Sequence, residues 1–147
     1  MGAFADQVGA FARETEERMT AVWRDAVQRT VSSMQQSVGE GGNLPIDTGF
    51  LRNSIAANKG TTPMAGLRRN PGGSFSYDAS DINLTILSST PQEGLSVVYT
   101  AEYAIYVEMG ARGRSPRGFV RLAAQRWPEF VRRANNALEN RVNGQAG

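Results

Sequence analysis

Cysteine and histidine are both absent from this sequence. Without them there is no disulfide, no thiolate nucleophile, no imidazole general base and almost no zinc chemistry. Lysine is nearly absent too, Lys59 being the sole lysine among 16 basic residues. Arginine offers a planar fork of donors and suits contacts between proteins better than lysine does. No apolar run approaches the roughly 20 residues needed to span a bilayer. Asp6, Arg13 and Glu14 interrupt the apolar start, where a signal peptide would keep an uncharged core. The expectation is a soluble chain, one domain over 1–147, with no membrane association.

Net charge is low as well, at +2, too small to announce nucleic acid binding. Its distribution is uneven. Residues 1–50 hold four arginines against seven acids, net −3, and residues 51–147 hold eleven arginines and Lys59 against seven acids, net +5. An acidic front and a basic back suit head-to-tail joining of copies, or simply a solvated mixed-charge surface.

Residues 3–38 carry apolar side chains every three or four positions, among them Phe4, Val8, Phe11, Met19, Val22, Trp23, Val27, Val31 and Met34. That period predicts one helix about 50 Å long. Such a helix exceeds the needs of a domain this size, so part of its stripe requires a partner outside its own core. Gly39 to Asn43 ends it. A core over 46–142 follows, with a short helical turn from Thr48 to Ser54 and a strand near Ile55. Residues 58–81, rich in Gly, Pro, Ser and Asn, read as a long loop. Alternation of Ile82, Leu84 and Ile86 predicts a strand joined by the Pro91–Gly94 turn to a second strand in "LSVVYTA", a hairpin. A short helix over Tyr103 to Met109 and a basic loop at 111–118 precede a final helix from Phe119, kinked at Pro128. Trp23 and Trp127 read as core anchors. The fold class is α+β: a long N-terminal helix, a small antiparallel sheet with a hairpin, short helices and a C-terminal helix.

Asp47-Thr48-Gly49 spells the aspartic protease triplet. That chemistry needs two carboxylates sharing a proton, an all-β setting and a small residue after the triplet. Here a helix precedes it and Phe50 and Leu51 follow. The alternative is a helix start, with Asp47 as N-cap and Ile46 stapling onto Phe50 or Leu51. Glu102 and Glu108, six residues apart, would not point together for acid–base work, and no phosphate-binding glycine loop with its lysine is present. The reading is not an enzyme, with no cofactor, no metal and no small-molecule substrate. Arg112, Arg114, Arg117, Arg121 and Arg126 cluster without an acid among them, and Arg68 and Arg69 sit inside the long loop. They suit subunit or partner contact, a phosphate-tracking nucleic-acid-binding strip, or an ordinary solvated face.

Three segments in order, "IDTGFLRNSI", "YAIYVEMGARGR" and "PRGFVRLAA", resemble the neck and tail-completion (head–tail joining) proteins of tailed bacteriophages of the siphophage type and related prophages. The third segment departs from the pattern, with Gly118 where that family usually has proline. The resemblance implies a virion protein assembled in the bacterial host cytoplasm. It would form a homo-oligomeric, hexameric ring between tail-tube and head-connector proteins, with DNA passing through the lumen without sequence-specific binding. It further implies motif roles for Asp47, Thr48, Gly49, Leu51, Ile55, Tyr103, Ala104, Glu108, Gly110 and Phe119. Asp47 would cap, and Gly49 would let the chain pass tightly by a neighbour. Leu51 and Ile55 would anchor the core, and Tyr103 and Ala104 would pack the sheet's exit. Glu108 would meet an arginine (Arg112, Arg114 or Arg117), and Gly110 would end its helix left-handed. Subunit or partner contact would fall to Arg68, Arg69, Arg112, Arg114, Arg117 and Arg121.

Overall fold

The computed structural model describes residues 2–60, 68–111 and 113–146. Helix α1 spans Gly2–Gln35, ending three residues before the expected 38, and a 3-10 turn at Val38–Glu40 closes on left-handed Gly41. A short helix α2 (Phe50–Asn53) leads directly into strand β1 (Ile55–Lys59). Then come helix α3 (Ser80–Ser88), strand β2 (Leu95–Tyr99) and helix α4 (Ala104–Met109). Two helices finish the described chain, α5 (Arg121–Gln125) and α6 (Trp127–Ala146). The class is α+β. β1 and β2 pair antiparallel, Ile55 opposite Tyr99 and Lys59 opposite Leu95, as a hairpin opened by the excursion of residues 60–94.

The expected hairpin partner is corrected. The stretch around Ile82 is helix α3, not a strand, and β1 takes its place beside β2. Ile82 and Ile86, four apart, are buried, while Leu84, between them, is 66% exposed. A two-residue alternation would have buried all three; a helical turn buries the first and last. Asp78 accepts from the Ser80 amide at 2.9 Å and the Ser80 hydroxyl at 2.7 Å, a turn just ahead of the helix rather than a side-chain cap. The expected long loop 58–81 is shortened at both ends. β1 runs to Lys59, and α3 begins at Ser80. Between them the Arg68 amide donates to Thr100 O at 2.8 Å, and the Phe75 amide donates to Thr48 O at 2.8 Å.

The predicted final helix is broken rather than merely kinked. Proline at the second position of α6 has no amide to give, so α5 ends at Gln125 and Arg126 forms the corner. α6 then continues through the tail, where the sequence carries no helix signal.

Among the described residues, three apolar clusters hold the parts together. The first joins Met34, Leu44, Phe50, Leu51, Tyr99, Ala101, Ala104, Phe119 and Ala123. The second joins Ala26 to Phe130 and Ala134, with Val22, Trp127 and Val131 around them. The third sets Val31 against Ile82 and Ile86. Because Ala123 meets Met34 and the later Phe130 meets the earlier Ala26, α6 runs antiparallel along α1. Polar groups bind the same seams. Gln35, buried, donates from its amide to Arg52 O at 2.9 Å and accepts from the Tyr99 hydroxyl. Burial holds the Tyr99 phenol far above its ordinary pKa, so it stays a donor at any physiological pH.

Candidate assembly surface

The three sequence motifs, far apart in the chain, converge on the first apolar cluster. Phe50 and Leu51 lie in the first motif, Ala104 in the second and Phe119 in the third, and all four are buried together. Phe119 meets the Tyr99 ring edge-on at 4.9 Å. Tyr103 is half-buried against this cluster and stacks obliquely on Phe50 at 6.1 Å. Burial first, and then the Asp47 carboxylate nearby, hold the Tyr103 phenol above its ordinary value. Ile55 belongs to β1 rather than α2, and packs between the first and third clusters.

Asp47 is not a cap. It is exposed, and α2 starts at Phe50 with Gly49 at the N-cap position and no side-chain cap bond. Thr48 takes the local role instead, its hydroxyl accepting from the Phe50 amide at 3.3 Å. Ile46 forms no staple, being 45% exposed. Asp47→Ala is therefore expected to change unfolding free energy by less than about 0.5 kcal/mol, as for other exposed sites without partners. A loss near 1 kcal/mol in urea titration would restore the cap role.

Gly49 behaves as expected of a close approach. A Cβ there would lie 2.4 Å from Phe75 O, and its φ of +85° is left-handed. The Asp-Thr-Gly segment thus seats the 68–79 segment, whose Phe75 ring lies 5.3 Å from Phe50. Gly110 likewise has positive φ (+78°), but with ψ of 143° it turns the chain in an extended sense rather than closing a left-handed helix end. Its missing Cβ leaves room for Arg114 O, which would otherwise sit 2.6 Å away. The 111–118 loop can then fold back, the Arg117 amide donating to Val107 O at 3.0 Å.

Glu108 does not meet an arginine among the described residues. Its two carboxylate oxygens accept from the Val120 amide at 2.9 Å and the Arg121 amide at 2.8 Å. A carboxylate on the open amides at a helix start answers both their missing partners and their partial positive charge. The glutamate of the second motif therefore locks the helix of the third. We expect Glu108→Ala to cost about 2 kcal/mol, the range for charged hydrogen bonds and caps. Glu108→Gln should recover part of this. Urea unfolding and hydrogen exchange at the Val120 and Arg121 amides would measure it; unchanged exchange would refute the lock.

The arginines divide. Arg68 holds its place by backbone pairing with Ala101, and its guanidinium lies 5.5 Å over the Phe50 ring. Arg69 reaches Glu102 at 3.5 Å as an exposed pair of little energetic weight. Arg126 is engaged by Glu129 at 2.9 Å and stands over Phe130. Arg112 lies outside the described residues. Arg114, Arg117 and Arg121 are exposed and, among the described residues, have no ion-pair partner.

Among the described residues, Leu84 and Leu87 of α3 are exposed, and two other helix faces carry larger groups of exposed apolar side chains. One is the first half of α1, where Phe4 is 73%, Phe11 71% and Met19 64% exposed, with Val8 between them. The other is α4, whose Ile105, Tyr106 and Met109 share one face and are exposed. The second was overlooked in the sequence, although the spacing of Ile105 and Met109 is that of one helix face. Beside it a groove opens, lined by Pro45, Tyr106, Val107, Ala111, Arg114 and Arg117 among others. No helix of the described residues is long and apolar enough to cross a membrane. Compared with protein-family models, curated proteins and solved structures, the chain matches none.

Proposed function

We propose that this chain is a structural virion protein of a tailed bacteriophage. It assembles as a homo-oligomeric ring, six copies to a turn, at the head–tail junction. There it completes the tail and joins it to the head connector, and it acts by assembly rather than catalysis. The observation that carries this reading is the open apolar stripe on the first half of α1. Isolated exposed apolar residues are ordinary, but Phe4, Val8, Phe11 and Met19 form one continuous helix face. The convergence of the three motifs on one cluster supports the resemblance that supplies the phage setting. Mass measurement of the purified chain, alone and with tail-tube and connector proteins, tests it. Rings are expected; a strict monomer that ignores both proteins would end the proposal.

Arg114, Arg117 and Arg121, exposed without acidic partners, favour a second reading as a nucleic-acid-binding module. It requires retention on duplex DNA with a steep salt dependence that weakens on Arg→Ala change.

A further inference from the structure

The two open surfaces are chemically complementary. Over residues 2–18 the apolar face of α1 presents Phe4, Val8 and Phe11, with small Ala5 and Ala12 beside them. The same segment carries Asp6, Glu14, Glu16 and Glu17 against Arg13 and Arg18, net −2. At 100° per residue, Glu14 and Glu16 stand on either flank of the stripe at Thr15. The groove beside α4 has the opposite character. Pro45, Val107 and Ala111 give its lining apolar groups, Tyr103 and Tyr106 rings, and Arg114 and Arg117 two positive charges against the single carboxylate of Asp47 near Tyr103. The one acid on α4, Glu108, is already turned inward to the Val120 and Arg121 amides and does not neutralise those two arginines.

The occupant of the groove cannot be the same molecule's stripe. α1 is continuous from Gly2 to Gln35, so its first half is carried away from the core by a rigid rod. Nor does the stripe suit itself. Pairing two copies of α1 face to face would bring acidic segments together, whereas the groove offers arginines. A contact between two unlike patches is heterologous, and its repetition gives a ring where the rotation between copies closes and a filament where it does not.

We propose that residues 2–18 of α1 from one copy lie in the groove between α4 and residues 114–117 of the next copy. Phe4 and Phe11 are the anchors, and Arg114 and Arg117 face Glu14 and Glu16. The proposal rests on the assembly reading above and names the contact by which copies join. Buried aromatic anchors surrounded by a charged rim are the usual seat of binding strength.

A mixing experiment on the full chain tests it. The stripe variant is Phe4→Glu with Phe11→Glu, and the groove variant is Tyr106→Glu with Arg117→Glu; circular dichroism confirms that each is folded. By light scattering, each alone is expected to be monomeric where the wild type is oligomeric. Mixed in equal amounts they should form a dimer that grows no further, because only one intact stripe and one intact groove remain. A charge test with milder changes runs alongside. Arg114→Glu with Arg117→Glu should weaken assembly at least tenfold, and adding Glu14→Arg and Glu16→Arg to the same chain should restore it. A groove variant that assembles like the wild type, or a mixture that stays monomeric while the wild type forms rings, overturns this interface and leaves the assembly reading standing. A wild-type chain that remains monomeric at every concentration, and in the presence of tail-tube and connector proteins, overturns both.

Discussion

Gly49→Ala is expected to lower unfolding free energy by about 3 kcal/mol, combining a left-handed backbone penalty of about 1–2 with an overpacking cost of about 1–3. The reason is local and steric. The new methyl carbon would meet Phe75 O at 2.4 Å, a backbone atom that cannot rotate aside as a side-chain tip would. Relief requires the 68–79 segment to lift, which breaks the 2.8 Å hydrogen bond from the Phe75 amide to Thr48 O and separates the Phe75 ring from Phe50. The substitution should therefore lower the urea midpoint and also abolish exchange protection at the Phe75 amide. An unchanged midpoint with Phe75 still protected would refute the close approach.

Phe119→Ala should be costlier still, at about 4 kcal/mol, the range for emptying a buried aromatic site. Phe119 is 2% exposed, edge-on to Tyr99, and sits where α5 and β2 meet the end of α1. Its loss opens a cavity beside the Tyr99–Gln35–Arg52 chain of hydrogen bonds and loosens the turn whose amides hold Glu108. Phe119→Leu, which keeps most of the volume, should lose less than half as much. Equilibrium unfolding in urea separates the two variants, and equal losses would show that packing at Phe119 is not the cause. The contrast with Phe11 is instructive. Both are phenylalanines at helix-compatible positions, yet Phe11 is 71% exposed. Phe11→Ala should leave monomer stability within about 0.5 kcal/mol and act on assembly alone.

The sequence did not distinguish these two phenylalanines by their neighbours, since each sits in an apolar period. What it carried was the mismatch of length. A 34-residue helix in a chain of this size has more apolar face than one small core can cover, and the structure leaves the first half of α1 open. The resemblance to the phage family further implied that glycine at position 49 lets the backbone pass close to something. The something, Phe75, lay in a Gly- and Ser-rich stretch with no periodic signal at all.

Where the sequence reading failed, the missing information was a partner. Ile82, Leu84 and Ile86 satisfy both a strand and a helix on a short window, and only the pairing of β2 with β1 left this stretch to be helix. Asp47 had the composition of a cap, but the chain turned one residue later and Thr48 took the bond. Glu108 was set among arginines in the sequence, yet its carboxylate went to two amides 12 and 13 residues ahead. The arginines stay solvated at little cost, whereas the first amides of a helix, with no partner inside it, are left open unless an acceptor reaches them.

The sequence by itself determined the long amphipathic helix, the α+β class, the uneven charge and the three motifs, because periodicity, residue type and order along the chain are local properties. Tertiary structure alone decided which segments became neighbours: the motifs gathered on one core, Glu108 joined to the third motif, and the apolar faces of α1 and α4 left open. Those outcomes depend on hydrogen bonds and contacts between residues distant in sequence, and a partner's identity is not written in either residue alone.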